Sequence, residues 1–160
     1  MNILGILVLL VLVVAVGLVI AGQMGMLTGQ VPQGLGVTEG RLKALSKTPN
    51  CVSSQAGLYA DHPQTEYASI APLIFSGDGD QAMEKLAAAL SKTERTVVIK
   101  REPGYIYAQA TTALLKFTDD LELWLDNRNG VIHVRSGSRL GQKDFGVNRA
   151  RVEALRAQLN

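Results

Sequence analysis

The run Thr96–Ser136, TVVIKREPGYIYAQATTALLKFTDDLELWLDNRNGVIHVRS, decides how this chain folds. Thr96–Arg101 (TVVIKR) and Tyr105–Thr112 (YIYAQATT) are rich in β-branched and aromatic residues, and Glu102-Pro103-Gly104 between them is a turn signal. Leu121–Leu125 (LELWL) alternates apolar and polar residues strictly. Val131–Ser136 (VIHVRS) follows Asn129-Gly130, a dipeptide suited to a two-residue hairpin turn. With that turn, Leu125 faces Val134 and Leu123 faces Ser136, while Trp124 lies opposite Arg135 and Asp126 opposite His133. Leu121, Leu123 and Leu125 then share an apolar face. The other face carries Glu122, Trp124 and Asp126 beside His133 and Arg135. A slip of one residue would exchange the two faces.

Outward from the strands, both flanks read as helical. Asp78–Leu90 places Met83, Leu86, Ala87 and Leu90 on one side, with Asp78 or Asp80 as its cap. Downstream, Asn148 is placed to cap a C-terminal helix in which Val152, Leu155 and Leu159 form an apolar stripe. A further strand is expected near Ile70–Phe75, whereas residues 38–70 show no sustained period and TPNCVSSQAG reads as an ordered loop. These elements predict an α+β fold: an antiparallel sheet of about four to five strands with two helices packed on one face.

The N-terminus is a different material. Ile3–Ala21 (ILGILVLLVLVVAVGLVIA) has no charge, and at about 1.5 Å per residue it spans roughly 28 Å as a helix, close to a bilayer's hydrocarbon thickness. A cleaved signal peptide would carry a basic leading region and an apolar run of roughly 7–15 residues. No Lys or Arg precedes this run, which is longer, although Val19-Ile20-Ala21 offers a small-residue site. The reading is one transmembrane anchor over 1–21, a glycine-rich flexible tether over 22–37, and a single domain over 38–160.

No residue before Glu39 has a charged side chain. Residues 39–127 hold nine Lys/Arg against twelve Asp/Glu, and residues 128–160 hold seven against two. The basic end suits phosphate, anionic lipid or an acidic partner, or else a solvated helix face balancing the acidic half. A net charge of +2 on a membrane-tethered chain argues against nucleic acid. One cysteine excludes an intramolecular disulfide. The two histidines, His62 and His133, lack the HxxxH and HExxH spacings of zinc sites, and no Walker-type or dinucleotide loop is present, so neither metal nor cofactor is expected.

Three strings carry a resemblance. Pro49-Asn50-Cys51-Val52-Ser53-Ser54, Phe117-Thr118-Asp119-Asp120-Leu121-Glu122, and residues 135–154 (RSGSRLGQKDFGVNRARVEA) resemble the family known as domain of unknown function 1499, over roughly residues 35–160. The resemblance implies a domain set behind a membrane segment or export signal, hence an extracytoplasmic one, and it implies no activity. Many members carry a second cysteine just before the PNCVSS-like loop; Ala44-Leu45-Ser46 stand there in this chain.

Two chemistries follow from the polar residues. Arg135-Ser136-Gly137-Ser138-Arg139 sets two guanidiniums around two hydroxyls, a combination that binds phosphate or carboxylate, unless Asp119, Asp120, Glu122 or Asp144 pair with the arginines internally. The first reading is a non-enzymatic binding or accessory module recognising an anionic ligand, lipid head group or protein partner. Its surface would be Glu122, Trp124, Arg135, Ser136, Ser138 and Arg139, with Asp144 orienting them. The alternative is a thiol- or carboxylate-dependent hydrolase or transferase using Cys51 with Asp119, Asp120 or His133, which requires a base beside the thiol. Cys51 also reads as a small buried apolar residue.

Overall fold

The β-rich stretches of 96–136 form the middle of one antiparallel sheet in the computed structural model, which describes residues 2–159. In chain order the elements are α1 (Ile3–Gln23), β1 (Cys51–Ser53), a short 3-10 turn (Ala56–Tyr59), α2 (Thr65–Ala68), β2 (Leu73–Ile74), α3 (Gly79–Lys92), β3 (Thr96–Glu102), β4 (Tyr105–Thr111), β5 (Thr118–Asp126), β6 (Val131–Ser138) and α4 (Val147–Arg156). The strands run β1-β6-β5-β4-β3, with β2 also on β6, so the α+β sheet has six strands, slightly more than expected. The added one is β1, inside the stretch expected to be a loop. Three residues are too few to show a period, and β1 is fixed by its pairing with β6.

The β5–β6 register differs from the expected one by two positions. Leu125 pairs with Ile132, Leu123 with Val134, Trp124 with His133 and Glu122 with Arg135. The cause is Asp126, whose carboxylate accepts the backbone N–H groups of Arg128 (3.0 Å) and Asn129 (3.2 Å) and the side-chain amide of Asn129 (2.7 Å). That Asx arrangement closes a four-residue loop over 127–130 in place of the two-residue turn at Asn129-Gly130. A shift of two keeps every side chain on its expected face.

One face of the sheet is closed by α3 and α4. Asp78 caps α3 by accepting from Gln81 N at 2.9 Å, and Ala82, Met83, Leu86, Ala87 and Leu90 point inward. Val152 and Leu155 do the same from α4. They meet Ile106, Ala108, Leu121, Leu123, Leu125, Ile132 and Val134 in one continuous core, where each fully buried Leu, Ile or Val contributes about 1.5–3 kcal/mol. The edge strand β3 is shifted in register between Val98 and Lys100 and ends in charged residues, which disfavours pairing with another sheet.

The opposite face is closed by irregular chain. Leu42 packs on Tyr105 and Tyr107, with Leu35 and Trp124 beside them. Further upstream, α1 is a 21-residue helix of mean hydropathy 3.5 over its most apolar window, with no inward-facing stripe. Its length and composition are those of a membrane span or of a signal sequence. Its last turn lies against the loop between β4 and β5: Gln23 Nε2 donates to the carbonyls of Leu114 (2.8 Å) and Ala113 (3.4 Å). Gly22 permits that approach, since a Cβ there would come within 2.6 Å of the Leu115 carbonyl oxygen.

Candidate functional site

Strand alternation sorts the polar residues of the middle strands into two groups on opposite faces. Tyr105, Tyr107 and Gln109 of β4, Asp120, Glu122 and Trp124 of β5, His133, Arg135 and Gly137 of β6, and Cys51 and Ser53 of β1 share the face away from the helices. Asp120 is fully buried there. Arg139 grips it with two bonds, Nε to Oδ2 at 2.9 Å and Nη2 to Oδ1 at 2.7 Å, and Tyr107 OH donates to Oδ1 at 2.6 Å. Gln109 completes the group by donating to Tyr107 OH at 2.7 Å. The fork also donates from Nη1 to the Gly29 carbonyl at 3.4 Å, which ties the glycine-rich stretch to the sheet.

Glu122, also 0% exposed, is held differently. Its Oε1 accepts from Gly36 N at 2.7 Å and from Tyr105 OH at 2.9 Å. Its Oε2 accepts no hydrogen bond among the described residues and lies 3.8 Å from Arg135 Nη1. Burial pushes the Glu122 carboxyl above the ordinary range, against the pull of the Gly36 N–H and Arg135. Arg135 in turn donates from Nε to the Ala44 carbonyl at 3.3 Å. Both guanidiniums of the 135–139 segment are thus spent on internal carboxylates and on the backbone of the covering chain.

Trp124 stacks on His133 with ring centroids 5.2 Å apart. His133 Nδ1 is 3.1 Å from Ser54 Oγ, and Nε2 is 3.7 Å from Asp126. Burial lowers the His133 pKa, opposed by Asp126. Cys51 is 2% exposed and pairs with Gly137, four residues and so roughly 13 Å along β6 from His133. Burial raises the thiol pKa, opposed by Arg135 and by the Ser46 backbone, and the thiol donates a long contact to the Val52 carbonyl at 3.6 Å. Space is tight at this point, for a Cβ on Gly137 would lie 3.2 Å from both the Cys51 sulfur and its Cβ.

The second group lies under α4. Ser136 Oγ donates to Asn148 Oδ1 at 2.6 Å, and Asn148 Nδ2 donates to the Asn50 carbonyl and to Ser138 Oγ, each at 3.1 Å. Arg151 bridges Asn148 Oδ1 (2.7 Å) and Asp119 Oδ2 (2.7 Å). Asn148 is therefore a buried tie inside α4 and does not cap it. The capping acceptor is Asp144, which takes N–H groups from Gly146 and Asn148 (both 3.1 Å) and the hydroxyl of Tyr67. Burial raises the Asp144 pKa, but those hydrogen bonds outweigh it and hold the carboxyl below the ordinary range.

The residues expected to form one surface are thus divided. Glu122, Trp124, Arg135 and Arg139 lie with Asp120, Cys51 and His133 on one face, whereas Ser136, Ser138, Asp144 and Asp119 lie on the other. Sequence reasoning missed Tyr105, Tyr107 and Gly36 as partners of the buried acids, and Arg151 and Tyr67 as partners of Asp119 and Asp144. The alternation in YIYAQ was the available signal for the tyrosines; nothing in the sequence marks Gly36.

Between α3 and α4 the helix face leaves a groove of about 580 Å3. Leu90, Ala110 and Leu155, all buried, line its inner part, and Lys92, Arg95 and Arg151 line it with Glu94. Ala113 and Val147 belong to the same groove, so it opens beside the loop that touches α1.

Residues 41–159 match the model of a family described as Protein of unknown function (DUF1499). No curated protein and no solved structure matches the chain.

Proposed function

The chain belongs to the DUF1499 family, and from its geometry we propose a single-pass membrane-anchored, non-enzymatic binding module whose ligand is an anionic amphiphile. The observation that carries the reading is the α3–α4 groove. It joins an apolar lining to Lys92 and to Arg95, whose pair with Glu94 (2.8 Å) lies at the surface. Arg151 at its edge is held by Asp119 and Asn148, and the groove opens next to the end of α1. An acyl chain suits Leu90, Ala110 and Leu155, and a phosphate or carboxylate head suits Lys92 and Arg95. The internal pairing of Arg135 and Arg139 moves the binding surface away from the 135–139 segment. The non-enzymatic reading rests on Cys51, whose buried thiol donates to the Val52 carbonyl and makes no hydrogen bond to a carboxylate or imidazole among the described residues, while His133 is engaged by Ser54 and Asp126. Placement on the extracytoplasmic side rests on the family resemblance, because no Lys or Arg precedes α1 and the first one after it is Arg41, too far away to orient it.

The test uses the full chain in neutral-lipid nanodiscs titrated with lysophosphatidylglycerol. Saturable binding is expected, weakened about tenfold or more by Lys92→Ala with Arg95→Ala, given about 1 kcal/mol per cation near an anionic head group. Equal affinity in the variant, or no saturable binding at all, contradicts the proposal.

A further inference from the structure

One end of the sheet collects exposed apolar side chains. β4 ends at Thr111, β5 begins at Thr118, β6 ends at Ser138 and β1 begins at Cys51, and the pairings Thr111↔Thr118, Asp119↔Ser138 and Cys51↔Gly137 bring these ends together. α1 terminates at the same end, through the contacts of Gln23 with Ala113 and Leu114. There Leu114 (60%), Leu140 (42%), Phe145 (93%) and Val147 (49%) are exposed, and Met24 and Met26 follow α1 directly. Gly29 lies against Arg139 and Leu140, and Val147 lines the same groove as Ala113, whose carbonyl accepts from Gln23. Leu114, Leu140 and Val147 therefore adjoin the end of the helix, and Phe145 stands two residues before Val147 in the chain.

Phe145 is the informative one. Its backbone is left-handed, with φ 53°, a conformation that a bulky aromatic residue rarely adopts. The residues around it are firmly held. Asp144 N donates to the Pro49 carbonyl, the Asp144 carboxylate takes Tyr67 OH and the N–H groups of Gly146 and Asn148, and Asn50 Nδ2 donates to the Gly141 carbonyl at 2.8 Å. A rigid, internally satisfied turn therefore holds a phenyl ring out where it packs on nothing. Lys116 and Lys143 lie on the two loops that carry Leu114 and Phe145, which is the charge expected of a surface meeting anionic head groups.

We infer that this end of the domain is a second membrane contact: Phe145 and Leu114 insert into the interface of the bilayer that α1 spans, and Lys116 and Lys143 meet its head groups. The inference rests on the reading of α1 as a membrane anchor. The occupant is the chain's own bilayer because the face is continuous with the end of α1. The domain then lies down on the membrane, and the mouth of the α3–α4 groove opens at the lipid surface.

The experiment is site-directed spin labelling of the full chain in vesicles of phosphatidylcholine with phosphatidylglycerol. Cys51 is buried and does not label, so single cysteines are introduced as Phe145→Cys, Leu114→Cys, Leu12→Cys and Ile74→Cys. Ile74 is 60% exposed and pairs with Val131, at the opposite end of the sheet. Phe145→Cys removes no packed contact, so this variant keeps the fold. The expected result is a label at 145 and 114 that is accessible to oxygen and shielded from the aqueous nickel reagent, with Ile74→Cys showing the reverse. A label at 145 as aqueous as that at 74, with Leu12→Cys deep in the bilayer, overturns the inference and leaves the anchor standing. An aqueous label at 12 overturns both. A label at 145 that is immobile and accessible to neither reagent assigns the face to a protein contact and also overturns the inference.

Discussion

The two faces of this sheet are closed by opposite means. The helix side is an apolar core sealed by two amphipathic helices, with a polar group of Asn148, Ser136, Ser138, Arg151, Asp119 and Asp144 near one end. The other side is sealed by chain without regular structure, which reaches the sheet through backbone groups. The Gly29 and Ala44 carbonyls take guanidinium N–H groups, and the Gly36 N–H reaches a carboxylate. A helix satisfies its own backbone and needs only an apolar stripe to dock. Irregular chain laid over a sheet must find partners for its peptide groups, and the buried charges of Asp120, Glu122, Arg135 and Arg139 supply them. Charge on this face is therefore the means of closing the fold, and the chemically richest residues of the sequence are used there.

The largest expected effect comes from breaking the better pair on that face. Arg139→Met leaves Asp120 buried without its cation and should lower the unfolding free energy of the full chain by about 3–5 kcal/mol, read by urea titration of Trp124 fluorescence. Combining it with Asp120→Leu should recover most of the loss, because a buried pair replaced by apolar groups of similar size is often neutral. A double variant no better than the single one would mean that the ion pair itself, and not satisfaction of the buried charge, holds the face. A smaller effect is expected at Glu122, where burial raises the folded pKa. A carboxyl with a raised folded pKa contributes stability that is present below the ordinary glutamate range and lost as pH rises through the folded value. Glu122→Gln should flatten the stability profile across that window. Asp144 slopes the other way: its depressed pKa contributes stability above the ordinary aspartate range, lost as pH falls through the folded value. Acid sensitivity should therefore survive in Glu122→Gln, and its disappearance would show that the two faces are coupled.

The helix side was legible in the sequence, and the other side was not. Met83, Leu86 and Leu90 announce α3 by spacing, and LELWL announces β5 by alternation. Both signals arise from burying one stripe against one core. Even the misplaced register kept its faces, because Asp126 displaced the turn by an even number of positions. No period marks residues 29–44, since docking through peptide groups leaves no side-chain pattern. The candidate site was half legible for the same reason. Acids capable of consuming Arg135 and Arg139 were visible, but strand alternation decided which did so: Asp120 took Arg139, while Asp119, one residue away, faced α4 and took Arg151.

The most direct measurement is amide hydrogen exchange at Gly36 in the full chain held in nanodiscs. This N–H, donated to the buried Glu122 carboxylate at 2.7 Å, should be protected like the amides of β5 and lose that protection in Glu122→Ala. Rapid exchange at Gly36 in the unaltered protein, alongside protected β5 amides, would contradict it: the glycine-rich stretch would then be a loose tether and the second face would be closed by something else.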